Sequence, residues 1–167
     1  MPKVYLDAID QRILAALQLN GRLSNVDLAA KVGLSPSPCL RRVRFLEEMG
    51  LISGYRATLE RENIGLGLTV FVGIKVERHD DGVATNFQSS IQNLPEVTSC
   101  YLVSGESDYL LEIVVPDLAG YQKFLTDTLL KLPNVRDIRS NFAIQKIKAA
   151  SPLPLDHLRD CDSDHQR

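Results

Sequence analysis

Cysteine is scarce in this chain. Cys39, Cys100 and Cys161 are odd in number, far apart and outside any CxxC spacing. That excludes a disulfide framework and a paired-cysteine zinc site, and it suits a reduced cytosolic compartment. Histidine occurs only at positions 79, 157 and 165. No Ser/His/Asp grouping, no pair of carboxylates in a plausible cleft and no glycine-rich phosphate loop is visible, so nothing points to catalysis. No apolar run approaches a membrane span, and no leader-like segment is recognisable. A basic excess is missing too: 19 Lys+Arg stand against 21 Asp+Glu, a net charge of −2, which taken alone argues against a nucleic-acid binder.

What is present divides the chain in two. With 44% hydrophobic residues over 167 positions, one domain or two small ones can bury a real core. Residues 1–62 hold 9 basic and 7 acidic side chains, whereas residues 63–167 hold 10 and 14. The front part is therefore the electropositive one.

In that front part, residues 24–49 predict two short helices joined by a tight turn. Ser24 suits an N-cap, with Asp27 in the first turn where a carboxylate favours the positive helix end. Gly33 suits a left-handed stop. Ser35 then caps a second helix with Pro36 at its first position. Leu40, Val43 and Leu46 recur at helical spacing and are expected to face the core. Ser37, Arg41 and Arg44 then project on the other side. A helix starting with small polar residues and carrying arginines along its open face suits a DNA major groove, although such arginines also occur on purely solvated faces. Residues 6–19, with Leu6, Ile9, Ile13, Leu14 and Leu17 on one stripe, predict a first helix packed across this pair. After Gly50, residues 51–59 read as an extended strand or tether, and residues 60–67 as a hinge.

From Leu68 the texture changes. Residues 68–77 are β-branched and apolar. Val83, Phe87, Ile91 and Leu94 mark a helix, after His79 in a turn. Residues 97–103 and 109–115 predict a hairpin, Leu118 to Leu132 a second helix, and residues 135–148 a last strand. The order strand-helix-strand-strand-helix-strand predicts a ferredoxin-like sheet with helices on one face. Its other face is only partly polar, so a second copy is the expected cover. Pairing would also present two weakly basic readers to one duplex. The domains are thus placed at 1–51 for the reader, 52–67 for the linker, 68–148 for the sheet domain and 149–167 for a polar, loose tail. His157, Cys161 and His165 would stack on a helix as a metal face, but two prolines and the polar composition favour a tail, and no metal or cofactor is expected.

The run LDAIDQRIL…LAAKVGLSPSPCLRRVRFLEEMGLISGYRA, the hairpin VSGESDYLLEIVV and the element order together resemble the Lrp/AsnC family of bacterial and archaeal transcription regulators over residues 5–148. The resemblance implies an α+β chain: a three-helix, winged-helix-like helix-turn-helix domain followed by a ferredoxin-like βαββαβ effector domain. It implies a non-enzyme that binds double-stranded DNA as dimers or octamers and responds to a small amino acid, in the cytoplasm on the nucleoid. Ser35, Ser37, Pro38, Arg41, Arg42 and Arg44 then fall on the reader helix. Phe45 stands where relatives commonly carry a basic residue. Leu102, Ser104, Gly105, Asp108, Tyr109 and Ser140 become the candidate effector residues. The turn at Ser104-Gly105 can offer backbone amides to a carboxylate, Asp108 a negative charge to an ammonium, and Ser140 a hydroxyl. Both charges of a zwitterion must be met when it leaves water. The alternative is an architectural DNA-binding protein of the same fold without an effector, in which Gly105 and Asp108 serve only the turn. An enzyme on the sheet domain, or an adaptor whose helix pair binds protein, are further alternatives with less in the sequence to support them.

Overall fold

Asp7 opens the first helix, α1 (Ala8–Leu19), by accepting the amides of Ile9 and Asp10 at 2.9 Å each, while Asp10 reaches back to the Asp7 amide at 3.3 Å. This reciprocal cap satisfies amides that the helix cannot pair internally. The computed structural model describes residues 5–77 and 81–158. The chain falls into two compact units, residues 1–58 with 148–167, and residues 59–147.

In the first unit, Ser24 caps α2 (Asn25–Val32) at the Asp27 amide, and Gly33 ends it at φ 77°. The third helix, α3 (Pro36–Glu48), starts after Ser35, whose backbone has N-cap geometry but whose hydroxyl makes no capping bond. Gly50 at φ 69° ends that helix, with the amides of Leu51 and Ile52 returning to the Leu46 carbonyl. Ile13, Ala16, Leu28, Ala29, Val32, Cys39 and Leu46 form the core between the three helices. Leu40 departs from expectation and faces outward, while Cys39 is buried. Residues 51–59 form no strand. Tyr55 instead lies against Gly21 and donates its hydroxyl to Glu47 at 3.0 Å.

The expected tail is not loose where it is described. Gln18 on α1 clamps the Leu153 peptide group from both sides, donating to its carbonyl at 3.3 Å and accepting its amide at 2.6 Å. Leu158 packs on the three-helix core. Residues 148–158 therefore belong to the first unit. Cys161 and His165 lie outside the described residues, as does His79.

The second unit is a four-stranded antiparallel sheet in the order β2-β3-β1-β4, built from β1 (Leu68–Val76), β2 (Val97–Leu102), β3 (Tyr109–Val115) and β4 (Val135–Phe142). Helices α4 (Asp81–Gln92) and α5 (Leu118–Asp127) cross between strands, giving the βαββαβ order. Alternation puts Val70, Val72, Ile74 and Val76 toward the helices, where Phe87, Ile91, Tyr121 and Phe124 complete the core. Phe71 and Gly73 lie on the opposite face, with Tyr101, Leu110, Glu112 and Arg139 in register beside them. The last strand is shorter than expected. It ends at Phe142, and the Ala143 amide then donates to the Thr69 carbonyl near the start of β1 at 3.0 Å.

Candidate functional site

Two regions emerge, one in each unit. The first is the exposed face of α3. Asn25 at the start of α2 donates to the Pro36 carbonyl at 2.8 Å, fixing the turn between the two helices. Burial of Cys39 and Leu46 then sets the rotation of α3. Outward stand two ridges at i, i+4, i+8 spacing: Ser37, Arg41 and Phe45, and Leu40, Arg44 and Glu48. These six side chains line one shallow recess of about 400 Å³.

Arg42 does not share that face. Its Nη1 donates to Asp7 at 2.7 Å and to Asp10 at 2.8 Å. The Asp10 side chain is only 8% exposed, the Arg42 side chain 31% and Asp7 40%. The arginine thus ties α3 to the capped start of α1 and points away from the face that Ser37, Arg41 and Arg44 share. For Asp7, burial alone would raise the carboxyl pKa. The Asp10 amide, the hydrogen bond and charge of Arg42, and the Ile9 amide outweigh it and hold the group below its ordinary value. Ser35 and the half-buried Pro38 lie at the N-terminal end of the helix, Ser35 as its cap and Pro38 in its first turn.

The second region is the β2–β3 turn. The Val103 amide donates to the Asp108 carbonyl, and the Asp108 amide to the Ile74 carbonyl, both at 2.9 Å. Asp108 Oδ2 accepts the Val76 amide at 2.9 Å, next to an irregularity in the β1–β4 register. The carboxylate proposed for an ammonium thus already caps the end of β1. Gly105 has φ 128°, a conformation that favours glycine. Ser107 lies across Gly73, so a Cβ at residue 73 would collide with its hydroxyl and stand 3.2 Å from its Cβ.

The six expected effector residues do not form one pocket within a single chain. Ser104 and Gly105 are in the turn, and Asp108 is at its junction with β1. Leu102 and Tyr109 pair in register and line a recess of about 410 Å³ with Ile91, Gln92 and Cys100. Tyr109 also stacks on Phe87, ring centroids 4.5 Å apart. Ser140 is two strands away from β3, on the edge strand β4, hydrogen-bonded to the Tyr121 hydroxyl beneath α5. Cys100 is exposed on the edge strand β2.

Arg139 and Glu106 were missed. Arg139 pairs in register with Gly73, forms an ion pair with Glu106 of the turn, and donates to Asp137 at 3.1 Å. Alternation along β4 could have found it. If Ile138 faces the helices, Arg139 must share the open face with Gly73. The open face therefore carries a charged and hydroxylic patch at the turn end. Elsewhere on it stand the exposed Phe71 and Tyr101. Arg61 adds a further tie there, donating to Thr69 at 3.3 Å and Glu112 at 2.9 Å.

A family model for the Lrp/AsnC ligand binding domain matches residues 69–153, and one for a winged helix-turn-helix DNA-binding domain matches residues 6–53. The chain is 47% identical over 152 residues to the leucine-responsive regulatory proteins of Klebsiella pneumoniae and Escherichia coli K12, covering 91% of this chain and 93% of each relative. It is similar in structure to a transcriptional regulator from Neisseria meningitidis in complex with L-methionine, with a TM-score of 0.87 and 43% identity over 92% of this chain and 99% of that one. An AsnC family transcriptional regulator from Agrobacterium tumefaciens gives a TM-score of 0.86 and 40% identity, over 91% of this chain and 99% of that one.

Proposed function

Since the chain belongs to the Lrp/AsnC family of DNA-binding transcriptional regulators, we propose that it binds specific duplex sites as a homo-oligomer and that a small amino acid modulates this binding. The observation that carries the DNA half is the outward face of α3. Ser37, Arg41 and Arg44 project together there, while Arg42 is turned in to hold the helix. Two guanidinium groups can hold phosphates or grip guanine edges, and Ser35, Ser37 and Pro38 stand at the helix end that enters a major groove first.

Self-assembly is supported by the open sheet face, where Phe71 and Tyr101 are exposed and Leu110 half-covered. A second copy of that face is the matching cover. Two readers on one duplex multiply phosphate contacts, which offsets the modest basic excess of a single reader. A higher assembly such as an octamer, and a place on the nucleoid in the cytoplasm, follow from the same reading.

The effector half is supported by the L-methionine complex of the Neisseria relative and by the built turn of Ser104, Gly105 and Asp108. Leu102 and Tyr109 on one side and Ser140 on another edge then call for a site completed by neighbouring copies rather than within one chain. A ligand there alters DNA binding only if it favours one assembly state over another. The engagement of Asp108 with the Val76 amide favours a second reading, an architectural DNA-binding protein of this family with no effector.

One pair of measurements decides. Fluorescence anisotropy against a random duplex pool, at stepped salt, should show affinity falling steeply with ionic strength for the native chain and markedly weaker binding for Arg41→Ala and Arg44→Ala. A melting screen with each of the twenty amino acids should give a raised transition with at least one. Unchanged affinity in both arginine variants would remove the reader face. A flat melting screen, with sedimentation unchanged by every amino acid, would leave the architectural reading.

A further inference from the structure

The reader face carries two side chains that its charge does not explain. Leu40 is 39% exposed and Phe45 41% exposed, both beside Arg41 and Arg44 in the same recess. Neither serves the three-helix core, which takes Cys39 and Leu46 from this helix and packs Val43 against them. Leu40 heads the ridge of Arg44 and Glu48, and Phe45 ends the ridge of Ser37 and Arg41. Each arginine therefore has a large apolar neighbour on the adjoining ridge. A helix that touched only phosphates would gain nothing from a leucine in its second turn, and keeping it in water is unfavourable.

The major groove offers one apolar partner, the C5-methyl of thymine, whereas guanine, cytosine and adenine present only donors and acceptors there. We propose that Leu40 and Phe45 are specificity-determining residues that pack against thymine methyl groups, so that the chain selects T at the steps between those gripped by Arg41 and Arg44. The inference rests on the reading of α3 as the DNA reader, and it names what that reader selects beyond charge. Burying one methyl group corresponds to about a fourfold change in affinity.

The test uses the full chain and a duplex selected from a random pool. Each thymine of the selected site is replaced in turn by deoxyuridine, which removes the methyl and leaves every hydrogen-bonding edge intact. The native chain should lose about fourfold in affinity at one or two positions per half-site. Leu40→Ala should abolish the penalty at one of these positions and Phe45→Ala at another. Both side chains are exposed, so melting curves of the variants should match the native one. Phe45→Arg should also steepen the salt dependence, by about 0.9 in the log-log slope for one added phosphate contact. The inference is overturned if deoxyuridine is tolerated at every position, or if its penalty persists undiminished in both alanine variants. Weakened binding in Arg41→Ala, together with deoxyuridine penalties that persist in both Leu40→Ala and Phe45→Ala, would sink only this inference. Full binding in both Arg41→Ala and Arg44→Ala would sink the DNA-reading assignment beneath it.

Discussion

Replacing Arg42 by methionine separates the two roles that adjacent arginines play on one helix. The native guanidinium lies 2.7 Å from Asp7 and 2.8 Å from Asp10. Removing it leaves the Asp10 carboxylate, 8% exposed, with only the Asp7 amide as a hydrogen-bond donor on its side of the cap. Breaking a fully buried pair costs about 3–5 kcal/mol, and an exposed one about 0–1. Asp7 and Arg42 both retain solvent access, which places the sum near 2 kcal/mol, roughly a thirtyfold shift in the folding equilibrium. For a unit of this size that corresponds to a fall in melting temperature of about 10 °C. Methionine keeps much of the aliphatic stem, so lost packing adds little. The assay is a circular-dichroism melt at 222 nm alongside anisotropy measured well below the lowered midpoint. DNA affinity per folded molecule should be retained. A variant that melts like the native chain, or one fully folded yet unable to bind duplex, would refute the assignment of Arg42 to the helix junction.

Three further outcomes follow. Because the Asp7 pKa is depressed in the folded chain, its stabilising contribution is complete above the ordinary carboxylate value of 3.8 and is lost as pH falls through the folded value. Urea midpoints should therefore drop in acid for the native chain and less so for Arg42→Met; parallel pH curves would remove the Asp7–Arg42 link. Gly73→Ala should displace Ser107 and with it the β2–β3 turn, weakening any effector-induced shift in melting while the reader unit keeps its intrinsic DNA affinity; an unaltered effector response would place the ligand away from this turn. Tyr121→Phe removes the partner of the Ser140 hydroxyl and should cost about 1 kcal/mol in urea unfolding, with no such loss identifying the contact as dispensable.

Local punctuation made much of the fold legible. Ser24, Gly33, Gly50 and Gly105 stand where a cap or a left-handed residue is required, and the strand-helix order followed from apolar alternation. The phase of α3 was harder. Residues 39, 43 and 46 satisfy helical spacing as well as 40, 43 and 46 do, and hydropathy favours leucine over cysteine. Close packing where three helices meet takes the small side chain and leaves Leu40 outside. Rotating α3 by one residue also explains Arg42, since its partners Asp7 and Asp10 are more than thirty positions away and look, in sequence, like helix-capping acids alone. The end of β4 was overrun because Ile144 continues the alternation of Phe142, yet the ladder to β1 stops near the start of that strand. Ser140 was chosen by resemblance, and strand parity turns it toward Tyr121 rather than toward the open face.

The grip of Gln18 on Leu153 bears on how such proteins can be recombined. The reader unit is assembled from two stretches of polypeptide, with the sheet unit spliced between them like an insert. A chimera that transplants residues 1–58 alone would set a foreign α1 against the host's residues 153–158, mismatching a groove that Leu6, Leu14, Leu17 and Ile52 share with Pro154 and Leu155. Grafting both stretches together preserves that seam. Exchange of DNA-reading specificity between regulators built this way should then succeed most often when the crossover points lie at both junctions of the insert.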